Sequence, residues 1–198
     1  MANNLRVMLE IGPKGKKVVA VAPEWPGLSR GAKSEEAAIE TLDNALTACP
    51  EALWQARLWR ETAGRPEFTE FWYVAFHAIF WLDYYCAESA QDFVPPPPFT
   101  LSELDVDGAM PERVYTKAEL QHYLAYARAK CRARIDGLAD ENEPQRVRDN
   151  WRVTTVAELL LYTMRHVQEH AAHLNMLLGQ QTDSAPGWVG QVRKDQAP

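Results

Sequence analysis

Three of the chain's five histidines, His166, His170 and His173, lie in one apolar run from Leu159 to Leu178. Spacings of four and three residues put all three on one stripe of a helix. Leu160, Val167, Leu174, Leu177 and Leu178 flank that stripe. Imidazoles buried among aliphatic side chains must have their ring nitrogens satisfied, and a metal ion is one way to do so. His166 and His170 could converge on one cation at about 2.0–2.1 Å from each nitrogen. The spacing alone also fits two helix histidines satisfied by ordinary hydrogen bonds. A third candidate adds weight. His77 stands alone in FWYVAFHAIFWLDYY, where an unpartnered imidazole costs on the order of a few kcal/mol. If a bundle brings His77 against the histidine helix, three nitrogens make a metal site with an open position for water or substrate.

Other residues could assist. His173, one turn beyond His170, is read as a fourth ligand, a group supporting the ligands, or an exposed helix residue. Tyr73 and Tyr84 share the helical face of His77 and could hydrogen-bond a substrate, or could simply pack as core aromatics with their hydroxyls at the rim. His122 carries no motif and reads as surface. Glu169 points about a quarter-turn away from His170 and reads as surface rather than general base. HVQEH lacks the glutamate of HExxH, which argues against ordinary metalloprotease chemistry.

The elements that must position these groups follow from periodicity and punctuation. Leu5–Ile11 and Lys17–Ala22 alternate as strands around the turn Gly12–Gly15, and Leu28–Ala32 could add a third. Ser34 reads as an N-cap with Glu35 and Glu36 in the first turn, and the helix should stop before Pro50. Residues 51–60 make a short helical piece. Phe68–Ser89 is hydrophobic nearly all round, the mark of a buried helix. Residues 91–115, with Pro95–Pro98, form a stiff strap of polyproline character, and a loop that long in a compact domain is often functional. Thr116–Glu119 and Thr155–Glu158 are capping boxes opening two further helices. Between them, Asp140–Asn150 reads as a charged loop. The expected architecture is mainly α: an antiparallel four-helix bundle over residues 34–180. A small β-hairpin or three-stranded sheet would precede it over 1–33, and a loose tail over 181–198, pinned by Trp188, would follow.

Composition narrows the partners. With 21 basic and 27 acidic residues, net charge −6, a broad nucleic-acid surface is not expected. The longest apolar run, Phe71–Cys86, is broken by His77 and Asp83 and falls short of the roughly 20 residues a bilayer requires. MANNLRVMLE is too polar for a secretory signal. Cys49, Cys86 and Cys131 form no CxxC pair and read as reduced, packed thiols. The expectation is a cytoplasmic protein with a small-molecule partner and no membrane contact.

FWYVAFHAIFWLDYY around His77 and LLLYTMRHVQEHAAHLN around His166 and His170 resemble the DinB-like superfamily, helical bundles related to thiol-dependent transferases. FVPPPPFTLSELD followed by YTKAELQHYL resembles one subgroup of it. The likeness covers about residues 45–180. It implies a DinB-like four-helix bundle whose metal ligands, a histidine of the second helix and an HxxxH pair of the fourth, fall on His77, His166 and His170. A glutamine is usual in that subgroup where His173 stands. The resemblance also implies a divalent cofactor, zinc or nickel by ligand type, and either transfer of a low-molecular-weight thiol or hydrolysis. The other expectation is a non-catalytic metal-binding bundle, a homodimer acting as sensor or scaffold. Finally, VVAVAPEWPGLSRGAKSEEAAIETL is similar in outline to the hairpin-then-helix core of HicB-type antitoxins, which would make it a binding module. A hairpin lid on the bundle is the plainer reading.

Overall fold

A computed structural model of the chain describes residues 8–11, 18–21, 35–59, 65–138, 146–148, 153–187 and 189. Its framework is four helices: α1 (Glu35–Ala48), α2 (Phe71–Tyr85), α3 (Lys117–Asp136) and α4 (Val156–Thr182). Two short antiparallel pairs accompany them. In the first, β1 (Met8–Ile11) meets β2 (Val18–Val21) with Met8 opposite Val21. In the second, β3 (Arg146–Arg148) meets β4 (Val153–Thr155), which runs directly into α4. The proposed third strand at Leu28–Ala32, the Ser34 cap and Trp188 lie outside the described residues. The segment read as a charged loop thus contains a strand. Its Arg-Val-Arg sequence is too short to announce a period of two.

The helices start and stop for local reasons. Thr116 accepts from the backbone N–H of Glu119 while the Glu119 carboxylate reaches back to the Thr116 N–H, and Thr155 and Glu158 repeat the arrangement. Each such cap contributes about 0.5–2 kcal/mol. Helix α2 is shorter than the expected Phe68–Ser89. Pro66 opens a single 3-10 turn over Pro66–Thr69, Glu70 is extended, and regular helix begins only at Phe71. Where a short helical piece is expected over residues 51–60, the described residues 51–59 make one 3-10 turn, Glu51–Leu53. The chain then folds back along the start of α2. Leu58 donates its N–H to Thr69 O at 2.8 Å, Phe71 to Ala56 O at 2.9 Å and Trp72 to Trp54 O at 3.0 Å.

The four helices pack around one core. Phe71, Phe76, Ile79, Phe80 and Leu82 of α2 are fully buried against Ile39, Leu42 and Leu46 of α1, Leu120, Tyr123 and Leu124 of α3, and Leu174 of α4. Burial of each large apolar side chain contributes about 1.5–3 kcal/mol. Side-chain partners fix the directions. Gln121 meets Thr47, Arg128 meets Glu40 and Asp43, and Arg132 meets Glu36, so α3 runs opposite to α1. Tyr85 meets Tyr162 while His77 meets His166 and His170, so α4 runs opposite to α2. By contrast Trp72 and Phe76 meet Tyr115, whereas Asp83 meets Tyr123 and Lys130, so α2 and α3 are parallel. An all-antiparallel bundle is therefore not what forms.

The reason is the strap of residues 86–116. It must return the chain from the end of α2 to the level of its beginning. Phe93 and Phe99 pin it to the core. Phe99 stacks on Tyr123 with centroids 4.2 Å apart, and Phe93 meets Phe80 edge-on at 5.4 Å. Cys49, Cys86 and Cys131 are free and buried. Among the described residues, no helix is long and apolar enough to cross a membrane.

Candidate metal centre

His77 projects from the middle of α2 toward α4, where the four-residue spacing brings His166 and His170 onto the facing stripe. Their Nε2 atoms meet. His166 Nε2 lies 3.2 Å from His77 Nε2 and 3.1 Å from His170 Nε2. One ligand nitrogen from each ring falls within 4.8 Å of the other two, and the group could hold a metal ion.

The donor set tests that reading. A ring nitrogen has one in-plane position, holding either a proton or a lone pair. His166 Nε2 has two close nitrogen neighbours. As a donor it can serve only one of them, and as an acceptor it can take only one proton. Two contacts at hydrogen-bond distance therefore cannot both be satisfied by the rings alone. A cation accepting three lone pairs resolves the conflict, so the residues fit a divalent ion. His170 is held in its neutral form. Burial, and then the charges of His77, His166 and His173, push its pKa from 6.5 down to about 2. A histidine held neutral is in the state a metal requires.

A cleft of about 360 Å³ reaches the cluster from outside. Trp59, Phe68, Tyr73 and Val74 supply apolar and aromatic wall, and Ser102, Glu103, Asp105 and Gly108 come from the strap. His77 and His170 stand in its lining as well. The strap residues were not anticipated. Glu103 sits on a single 3-10 turn, Ser102–Leu104, and its Oε2 lies 2.7 Å from His77 Nδ1. The same oxygen accepts from Trp81 Nε1 at 2.8 Å. Burial opposes ionisation of Glu103, but the hydrogen bond and charge of His77, with smaller contributions from the neighbouring Tyr73 hydroxyl and the Trp81 indole, outweigh it. The carboxyl is held below its usual range. Glu103 Oε1 and Ser102 Oγ are buried with no hydrogen-bond partner. Unmatched polar atoms in a cleft lining are groups a ligand can satisfy. The sequence signals for Glu103 are its place in a long loop and in the stretch FVPPPPFTLSELD.

The remaining candidates separate. Tyr73 lines the cleft beside Glu103, and burial first, then the Glu103 charge and hydrogen bond, push its hydroxyl pKa up. Tyr84 packs instead among Trp81, Tyr85 and Phe93, outside the cleft lining. His173 lies 5.9 Å from His170 between ring centroids, edge-on to Trp59 at 5.4 Å, and is outside the three-nitrogen group. His122 is exposed on α3 and distant in role.

Fold and site together define a helical bundle with a three-histidine group at the floor of a cleft. The family model of the DinB superfamily matches residues 36–174, so the chain belongs to that superfamily. No curated protein and no solved structure matches it.

Proposed function

We propose that the protein is a divalent-metal-dependent enzyme that transfers a thiol to a small molecule or hydrolyses one, with His77, His166 and His170 as ligands. The observation that carries this reading is the meeting of three Nε2 atoms at a cleft whose lining leaves polar atoms unmatched. Bound there, zinc or nickel would act as a Lewis acid and lower the pKa of a coordinated thiol or water. The chain's own groups do the rest. His77 and His170 stand at the cleft wall, so a ligand entering it comes directly against the cluster. Trp59, Phe68 and Tyr73 offer flat apolar surface for the body of a substrate. Ser102 Oγ and Glu103 Oε1 offer hydrogen-bond partners that orient it. The cleft has the size range of small-ligand sites, about 300–1,000 Å³.

The experiment has two stages. Protein purified without chelator is assayed for metal by mass spectrometry, beside His166→Ala and His170→Ala. A panel of low-molecular-weight thiols and electrophiles is then tested with and without added zinc or nickel. The expected result is bound metal in the parent only, and thiol consumption that depends on it. Equal metal in parent and variants rejects the site. Metal without turnover across the panel, accompanied by a melting temperature that rises with metal, would instead make the cluster a structural or sensing centre.

A further inference from the structure

His77 reaches the cluster with one ring nitrogen, and its other nitrogen has a partner from a different part of the chain. Glu103 Oε2 lies 2.7 Å from Nδ1 and also accepts the Trp81 indole N–H at 2.8 Å. Indole only donates, and an ionised carboxylate only accepts. With both neighbours donating to Oε2, the proton of a neutral His77 must sit on Nδ1. Nε2 then carries a lone pair directed at His166 and His170. In water a neutral imidazole favours the opposite tautomer, with its proton on Nε2, which would block coordination at that atom.

We propose that Glu103 is the positioning residue of the histidine cluster: its Oε2 holds the Nδ1 proton of His77, so that His77 Nε2 is presented unprotonated to a divalent cation. This rests on the metal-site reading given above. Carboxylate partners of this kind orient a ligand ring and raise its basicity. Three features make Glu103 able to do so. Its side chain is only 5 % exposed, so water competes weakly for the bond. Trp81, one helical turn from His77 on α2, fixes the same oxygen from the side. The strap turn that carries Glu103 is itself fastened. Asp105 Oδ1 accepts from the backbone N–H of Asp107 at 2.8 Å and of Ala109 at 3.3 Å. Arg65 donates to Asp107 O at 2.8 Å and to Gly108 O. His170 Nδ1 has no such partner, so the carboxylate sets the tautomer of His77 and not that of His170.

The test uses the full chain labelled with nitrogen-15 at histidine, first metal-free. Long-range proton–nitrogen spectra at pH 8 read each tautomer directly. The expected result is His77 as the Nδ1–H form in the parent and in E103Q, whose amide oxygen can still accept, and a shift to the Nε2–H form in E103L. Zinc affinity, measured by competition with a chromophoric chelator, should fall about 10–100-fold in E103L and stay near the parent value in E103Q. A parent His77 carrying its proton on Nε2 overturns the proposal without any variant. So does an E103L protein that keeps the parent's zinc affinity while only its melting temperature drops. A parent that binds no zinc at all defeats the metal reading, whereas a parent that binds zinc with unchanged affinity in E103L defeats only the role of Glu103.

Discussion

Helix α2 carries His77 and Asp83 six residues apart, and the surroundings of the two are opposites. Asp83 is fully buried, and both its oxygens are matched. Tyr123 donates to Oδ2 at 3.0 Å and Lys130 to Oδ1 at 2.5 Å, with a second contact from Lys130 to the Asp83 carbonyl at 3.3 Å. Burial raises the Asp83 pKa, and these bonds oppose that rise without cancelling it. His77 faces a cluster whose nitrogens cannot all be satisfied by one another, beside a cleft with an unmatched carboxylate oxygen and hydroxyl. A closed polar network holds helices together, whereas an open one waits for a ligand. On one helix the first ties α2 to α3 and the second joins α2 to α4.

Substitutions should break the two clusters in opposite ways. The largest effect is expected from His166→Ala. It should lower zinc affinity by more than the roughly 10–100-fold that losing an outer hydrogen-bond partner costs. The metal-free variant should melt no lower than the parent, because a nitrogen conflict is removed. Competition titration and calorimetry check both halves. Asp83→Ala should behave in reverse. It leaves the buried Tyr123 hydroxyl without an acceptor, at about 2–3 kcal/mol. For a chain of this size that is a fall in melting temperature of about 2–4 °C per kcal/mol, with zinc affinity unchanged. A fall in zinc affinity on Asp83→Ala would erase the distinction between the clusters.

Acid sharpens the contrast. The unfolded chain's His170 takes up a proton near pH 6.5, while in the metal-free fold its pKa lies near 2. The unfolded state therefore binds more protons across that window, and stability falls as pH drops below about 6.5. Metal-free parent protein should lose melting temperature from pH 7 to pH 4, and His170→Leu should flatten that slope. A parallel slope in both proteins would show that His170 is not held neutral.

Smaller effects test the supports. Gly108 has φ of +70°, and a Cβ there would lie 3.0 Å from Arg65 Nη1. Gly108→Ala should cost about 1–2 kcal/mol and loosen the strap turn that carries Glu103, with a modest loss of zinc affinity. Thr155→Ala removes only a helix cap. About 1 kcal/mol of stability should go, readable by denaturant titration, and metal binding should not change.

The sequence by itself settled what depends on neighbours along the chain. Thr116–Glu119 and Thr155–Glu158 are capping boxes wherever a helix follows them, because both partners lie within one turn. His166 and His170 share a stripe because four residues is close to the helical period. The apolar run around His77 had to be buried. Tertiary structure decided which distant groups meet. Nothing periodic links Glu103 to His77, 26 positions away in a loop whose path depends on where Phe93 and Phe99 find room in the core. The parallel course of α2 and α3, and hence the strap that carries Glu103 to the cluster, was equally hidden. Helical hydrogen bonds and periodicity are local, whereas the closure of a long connection is decided only by the contacts its ends make when the whole core forms.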